Sequence, residues 1–242
     1  MNKLLFFSFI FLSLSCANFQ QEINKKNFKN LTAEDFYTNI INNKGIILDV
    51  RTIDELKSGI IEGASTINFY DSNFKNKLSK IQKDKVVYVY CRSGGRSAKA
   101  AQLLIDLGQK EVINLDGGIM AWKKAGYNLD VYDNQSDINV KEFTKQELSK
   151  IINDNNLVLV NFHTLWCVPC RKMSPIIDEL EQKYLNRIYI ARINLDKAYT
   201  LEKDFNINTV PAFILFKDKE IVWRGNGTIS KDKLTGILDN EL

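Results

Sequence analysis

"VVYVYCRSGGRS", Val86–Ser97, runs from five apolar residues into Cys91 and then at once into small and cationic ones. A short, continuous run of branched and aromatic residues suits a parallel strand covered on both faces. Gly94 and Gly95 let the following backbone curl with its N–H groups pointing inward, and "RSAKAAQLLIDLG" then carries helical spacing until Gly108 stops it. Cys91 therefore falls between a buried strand and a helix N-terminus. The loop donors, the helix end and the charges of Arg92 and Arg96 favour the thiolate over the thiol, and would equally hold an anion against the sulfur. The plainer alternative is a small buried residue at a strand end. Two arginines and two glycines directly after the cysteine weigh against it.

Outward from this stretch the pattern repeats. "GIILDV" (Gly45–Val50) and "EVINL" read as further buried strands, Thr32 with Asp35 opens an amphipathic helix to about Ile41, and "GGIMAWKKAG" closes the unit with a helix. Alternating strands and helices imply an α/β domain with a largely parallel sheet, set at residues 30–127. The polar "NLDVYDNQSDIN" breaks the pattern and marks a linker at 128–142. A second alternation fills 143–242: helix from Lys145, strand Leu157–Phe162, helix from Val168 to about Tyr184, strand "RIYIARINL", then "AFILF" and "IVWRG" as an antiparallel hairpin, and a last helix opened by Ser230. The fold class is thus α/β in two domains, the first with a parallel sheet and the second with a mixed one. The halves share no repeated motif.

The first domain resembles the single-domain rhodanese family. "LDVRTIDEL", "GIIEGA", "CRSGGRSAKAA" and "GGIMAW" match that family's segments in order. The resemblance implies that Cys91 takes a sulfane sulfur from a donor such as thiosulfate or a persulfide, and passes it to a nucleophile. It assigns substrate binding to the loop Arg92, Ser93, Gly94, Gly95 and Arg96, with Asp49 and Arg51 as supporting groups at the neighbouring strand end. Ile60 stands where the family often has histidine, which makes the pocket rim more apolar. A Cys-loop-Arg phosphatase fits less well: four residues separate Cys91 from Arg96 where such enzymes have five, and Tyr90 replaces the usual preceding histidine.

In "VLVNFHTLWCVPCRKMSP" (Val158–Pro175) the cysteines of Trp166-Cys167-Val168-Pro169-Cys170 follow a strand and open a helix. Their spacing places both sulfurs on one side of the first turn, close enough to join. Cys167, at the positive helix end, is the expected attacking thiolate, and Cys170, one turn in, the shielded resolving thiol. Zinc finds no second half-site, because Cys16 and Cys91 are unpaired in sequence and His163 is the single histidine. With "ARINLD", "INTVPAFILF" and "GTISKDKL", the segment resembles the thioredoxin family. That resemblance implies a redox-active Cys167–Cys170 disulfide, a cis Pro211 facing it, and a substrate groove formed by Trp166, Val210 and Pro211, with Val210's backbone pairing to an extended client. It also implies a helix kinked at Pro175. Asn161 occupies the position of a buried proton-exchanging aspartate, and Val168 that of a glycine. His163 reads as a packed neutral side chain.

The composition of the whole 242-residue chain, with net charge +4, 45% hydrophobic and 26% charged residues, is that of globular domains. Its lysines are dispersed, which speaks against nucleic acid as a partner. "MNKLLFFSFIFLSLSC" has a lysine, an apolar segment too short to span a bilayer comfortably, and small Ser15 before Cys16. It resembles a bacterial lipoprotein signal covering residues 1–15, with Cys16 lipidated and residues 16–29 a tether. A cleaved signal with an incidental cysteine is the other reading. The expectation is an exported enzyme on the periplasmic or cell-surface side of a bacterial membrane. No cofactor or metal is called for. Its partners are a sulfane-sulfur donor, disulfide-containing client proteins, a reductant the sequence does not name, and the membrane. In the leading reading Cys91 carries a persulfide and the Cys167–Cys170 pair performs dithiol–disulfide exchange on it or on partner proteins; the alternative makes the chain a protein-disulfide reductase whose first domain only binds clients.

Overall fold

A computed structural model describes residues 27–132 and 143–242. Cys16, the signal segment and most of the polar linker lie outside them.

In the first domain, β1 (Lys29–Leu31), β2 (Gly45–Asp49), β3 (Ser65–Thr66), β4 (Val86–Tyr90) and β5 (Glu111–Leu115) form a sheet of order β1-β5-β4-β2-β3. Every pairing in it is parallel. Central β4 has four of its five residues buried, as two-sided cover by helices demands. Helices α1 (Ala33–Asn42), α2 (Ile53–Leu56), α3 (Phe74–Ser79), α4 (Gly95–Asp106) and α5 (Gly118–Lys124) supply that cover. Local chemistry starts several of them. The Thr32 hydroxyl accepts from the Asp35 N–H at 3.2 Å, and Thr52 with Glu55 forms a complete capping box. The start of the polar linker is tied to this domain: Ile60 and Asp130 exchange backbone hydrogen bonds of 2.9 and 2.8 Å. Ile60 itself is buried in the core, where it supports the fold.

The second domain has α6 (Lys145–Asp154), β6 (Leu157–His163), α7 (Val168–Lys183), β7 (Tyr189–Asn194), α8 (Tyr199–Asp204), β8 (Ala212–Lys217), β9 (Glu220–Asn226) and α9 (Lys231–Glu241). Its sheet order is β7-β6-β8-β9, with β6–β7 parallel and the other pairs antiparallel. Asp218 and Lys219 join β8 to β9 with positive φ at both positions, the backbone hand that suits a two-residue hairpin. Pro169 lies in the first turn of α7, where its missing N–H costs nothing, and the helix continues through Pro175.

The domains touch. One contiguous apolar cluster runs from Leu78 and Ile81 of the first domain to Trp166, Cys167 and Val210 of the second.

Candidate functional site

Two sites are built on the same plan, a cysteine between a buried strand and the helix that follows. At the first, Cys91 ends β4, and Gly94 caps α4 with φ +93°, a left-handed conformation that favours glycine. The turn this makes aims donors at the sulfur. Cys91 Sγ accepts from the Gly94 N–H at 3.2 Å and from the Ser97 hydroxyl at 3.4 Å. Burial pushes the thiol up, but hydrogen bonds from the Ser97 hydroxyl and from the N–H groups of Ser97, Ser93 and Gly94 outweigh it. The Cys91 pKa therefore lies below its ordinary value.

The "GGIMAW" segment holds this loop from behind. The N–H of Ile119 donates to Cys91 O at 2.8 Å and that of Met120 to Arg92 O at 3.2 Å. Gly118, at φ +59°, comes so close that a Cβ would stand 2.5 Å from Cys91 O. Only a glycine fits there without moving the active loop.

The arginines divide their work. Arg96 makes a bidentate pair with Glu55, 2.7 and 2.6 Å, and its guanidinium lies over the Tyr70 ring. That hydrogen bonding holds the Glu55 carboxyl down at about 2. Arg96 thus fixes the loop to α2, and its charge is already matched. Arg92 and Ser93 are exposed at the loop surface, and Arg92 has no carboxylate paired with it among the described residues. Of the two arginines, Arg96 is the one whose charge interacts with the Cys91 sulfur.

Asp49 and Arg51 form a fully buried pair at 2.6 Å, with Arg51 also donating to the carbonyls of Glu55 (3.1 Å) and Gly59 (2.7 Å). Burial pushes the Asp49 carboxyl up against the opposing pull of Arg51. Their contacts brace the Glu55–Gly59 turn and, through it, the Arg96 partner; neither is hydrogen-bonded to Cys91.

At the second site Cys167 and Cys170 are joined as a disulfide, and the Cys167 sulfur accepts from the Cys170 N–H at 3.1 Å as the cap of α7. The Val210–Pro211 peptide is cis. Trp166 is held by its indole N–H to Asp196 Oδ1 at 3.0 Å. Asn161, on β6, is buried with its side-chain N–H2 unpartnered among the described residues. His163 is pushed down to about 4 by burial and by the charge of Arg192, so it is neutral at pH 7. Cys167 is only 3% exposed against 7% for Cys170, so the attacking sulfur is no less shielded than the resolving one. The first domain causes this: Ile46, Ser65, Lys80 and Ile81 line the same small cavity as Trp166, Cys167, Pro169 and Val210.

Sequence reading missed three contributors. Ser97 stands in the quoted stretch, where a hydroxyl in the first helical turn after a cysteine is the available signal. Glu55 was visible only as part of a matched motif, and Lys80 carried no signal at all.

A cysteine pair closed at the start of a helix, beside a cis proline, defines a dithiol–disulfide protein, here behind a second cysteine domain. The thioredoxin family model matches residues 139–240, and the rhodanese-like domain model matches residues 32–125. Thioredoxin of Buchnera aphidicola subsp. Schizaphis graminum (strain Sg) is 33% identical over 102 residues, covering 42% of this chain and 94% of that protein. Thioredoxin of Pyropia yezoensis is 37% identical over 95 residues, 39% of this chain and 86% of its own. A solved Plasmodium falciparum thioredoxin aligns at 26% identity and TM-score 0.39, over 43% of this chain and 100% of that one. The chain belongs to the thioredoxin family through its second half. As a whole it is a thiol–disulfide oxidoreductase fused to a rhodanese module.

Proposed function

We propose that the chain is an exported, membrane-tethered enzyme with sulfurtransferase activity at Cys91 and protein-disulfide reductase activity at Cys167–Cys170. The observation that carries the first activity is the donor cradle on the Cys91 sulfur, formed by the Gly94 N–H and the Ser97 hydroxyl. The Cys91 thiolate attacks the outer sulfur of thiosulfate. A Cys91–S–S⁻ persulfide forms, the sulfur–sulfur bond of the donor breaks, and sulfite leaves with the bonding electron pair. The same N–H groups that favour the thiolate favour the anionic persulfide. A nucleophile such as cyanide then takes the outer sulfur as thiocyanate and returns the thiolate.

At the second site, reduced Cys167 attacks a client disulfide, the client's first thiolate leaves, and a mixed disulfide forms. Cys170 attacks the Cys167 sulfur, releasing the second client thiolate and closing Cys167–Cys170. A dithiol reductant must reopen the pair after each turn. The substrate of Cys167 is either the Cys91 persulfide or a client protein, and the closed arrangement presents neither to it. The residues lining the cavity against Cys167 come from positions 46, 65, 80 and 81, and none from the 91–97 loop.

The test uses the full chain. After incubation with thiosulfate, the Cys91 peptide should gain one sulfur atom and the chain should convert cyanide to thiocyanate. Cys91→Ser should lose both while retaining insulin reduction. A wild-type chain that neither gains the sulfur nor makes thiocyanate leaves the first domain as a client-binding module only.

A further inference from the structure

We infer that the first domain is the resident ligand of the thioredoxin groove, and that the chain must open before Cys167 can reach a client. This rests on the dithiol–disulfide reading of Cys167 and concerns what regulates that site.

The argument starts from backbone groups. Val210, directly before the cis proline, offers its N–H along the groove, and that N–H donates to Lys80 O at 3.1 Å. The Thr209 hydroxyl donates to the same carbonyl at 3.0 Å. Lys80 O, at the C-terminal end of α3, thus takes two donors from the groove wall. On the other side of Cys167, the Thr66 N–H of edge strand β3 donates to Trp166 O at 3.4 Å. The Ser65 hydroxyl accepts from the Val168 N–H at 3.1 Å. Groove donors and acceptors on both sides of the disulfide are therefore satisfied by the first domain.

A charge fixes the register. The Lys80 ammonium is nearly buried, donates to Ile207 O at 3.0 Å, and pairs with Glu202 of α8. A lysine sits in so dry a place only when such partners are supplied, and these come from the other domain. Lys80 is the C-cap directly after α3, so the end of α3 presents it as a peg. The outcome is a Cys167 that is 3% exposed and a Val210 that is equally closed. No client chain can pair with Val210 while Lys80 O is there.

The experiment separates docking from catalysis. The full chain is reduced, freed of reductant and pulsed with a bulky maleimide, and adducts on the Cys167 and Cys91 peptides are counted by mass spectrometry. Lys80→Glu sets two carboxylates against each other at the peg and should speed Cys167 labelling by about tenfold or more. Adding Glu202→Lys restores an opposite pair and should bring the rate back to within about threefold of wild type. Labelling of Cys91 should not follow this pattern. A second measurement needs no variant: hydrogen exchange at the Val210 amide of the oxidised wild-type chain should be strongly protected. Equal Cys167 labelling in wild type and Lys80→Glu, or unprotected Val210 exchange, overturns the inference. Failure of the reductase reading shows differently, as a labelled and opened Lys80→Glu chain that does not reduce insulin.

Discussion

Replacing Ser97 with alanine tests how the Cys91 thiolate is held. The hydroxyl lies 3.4 Å from Sγ and 3.0 Å from Gly94 O, and its one proton can go to only one of them. When Cys91 ionises, the proton turns to sulfur, and the bond to Gly94 O is given up. A hydrogen bond to a charged group contributes about 1.5–3 kcal/mol, and this competition puts Ser97 at the lower end. At 1.36 kcal/mol per pH unit, removal should raise the apparent Cys91 pKa by about one unit. The backbone donors of Ser93, Gly94 and Ser97 remain, so the cradle is weakened and not abolished. The assay is the pH dependence of iodoacetamide capture at the Cys91 peptide, with Cys167–Cys170 left oxidised. An unchanged midpoint in a variant with wild-type melting would refute the hydroxyl's part in the cradle.

Gly118→Ala should cost about 2–4 kcal/mol in chemical denaturation, from left-handed strain and the collision with Cys91 O, and should slow Cys91 capture. Gly126→Ala, at φ +82° with open space around it, should cost only about 1 kcal/mol; equal costs would discredit the close-approach argument. Arg51→Met strands the Asp49 carboxylate and should destabilise the chain by about 3–5 kcal/mol, so a loss below about 1 kcal/mol in urea melts would contradict a buried pair. His163 has a folded pKa of about 4 against about 6.5 unfolded. Its contribution is intact above pH 6.5 and is lost as pH falls from 6.5 to 4, by about 3 kcal/mol in all. The single histidine resonance should titrate near 4, and a midpoint near 6.5 would rule this out.

What could be read from the sequence was whatever is local. The strand Val86–Tyr90, its glycine loop and the helix behind it follow from five apolar residues, two glycines and 3.6-residue spacing. Leu157–His163 and the cysteine pair follow in the same way. Strand β3 escaped because two residues carry no period; Ser65 and Thr66 are a strand only through their pairing with Leu48 and Asp49. The Arg96–Glu55 pair joins residues 41 apart, and Lys80 meets Ile207 across 127. Such contacts are set by how finished elements meet, and no window of sequence contains both partners. For the same reason Cys167 read as open: the helix end that would activate it is local, and the domain that covers it is not.

The carbonyls of Cys91 and Arg92 are held by the N–H groups of Ile119 and Met120, some thirty residues downstream. During synthesis Cys91 therefore leaves the ribosome before the segment that backs its loop has been made. Its reactivity begins only when the last helix of the first domain arrives. A chain still being made carries no preformed donor cradle at Cys91, and completion of the domain is what assembles it.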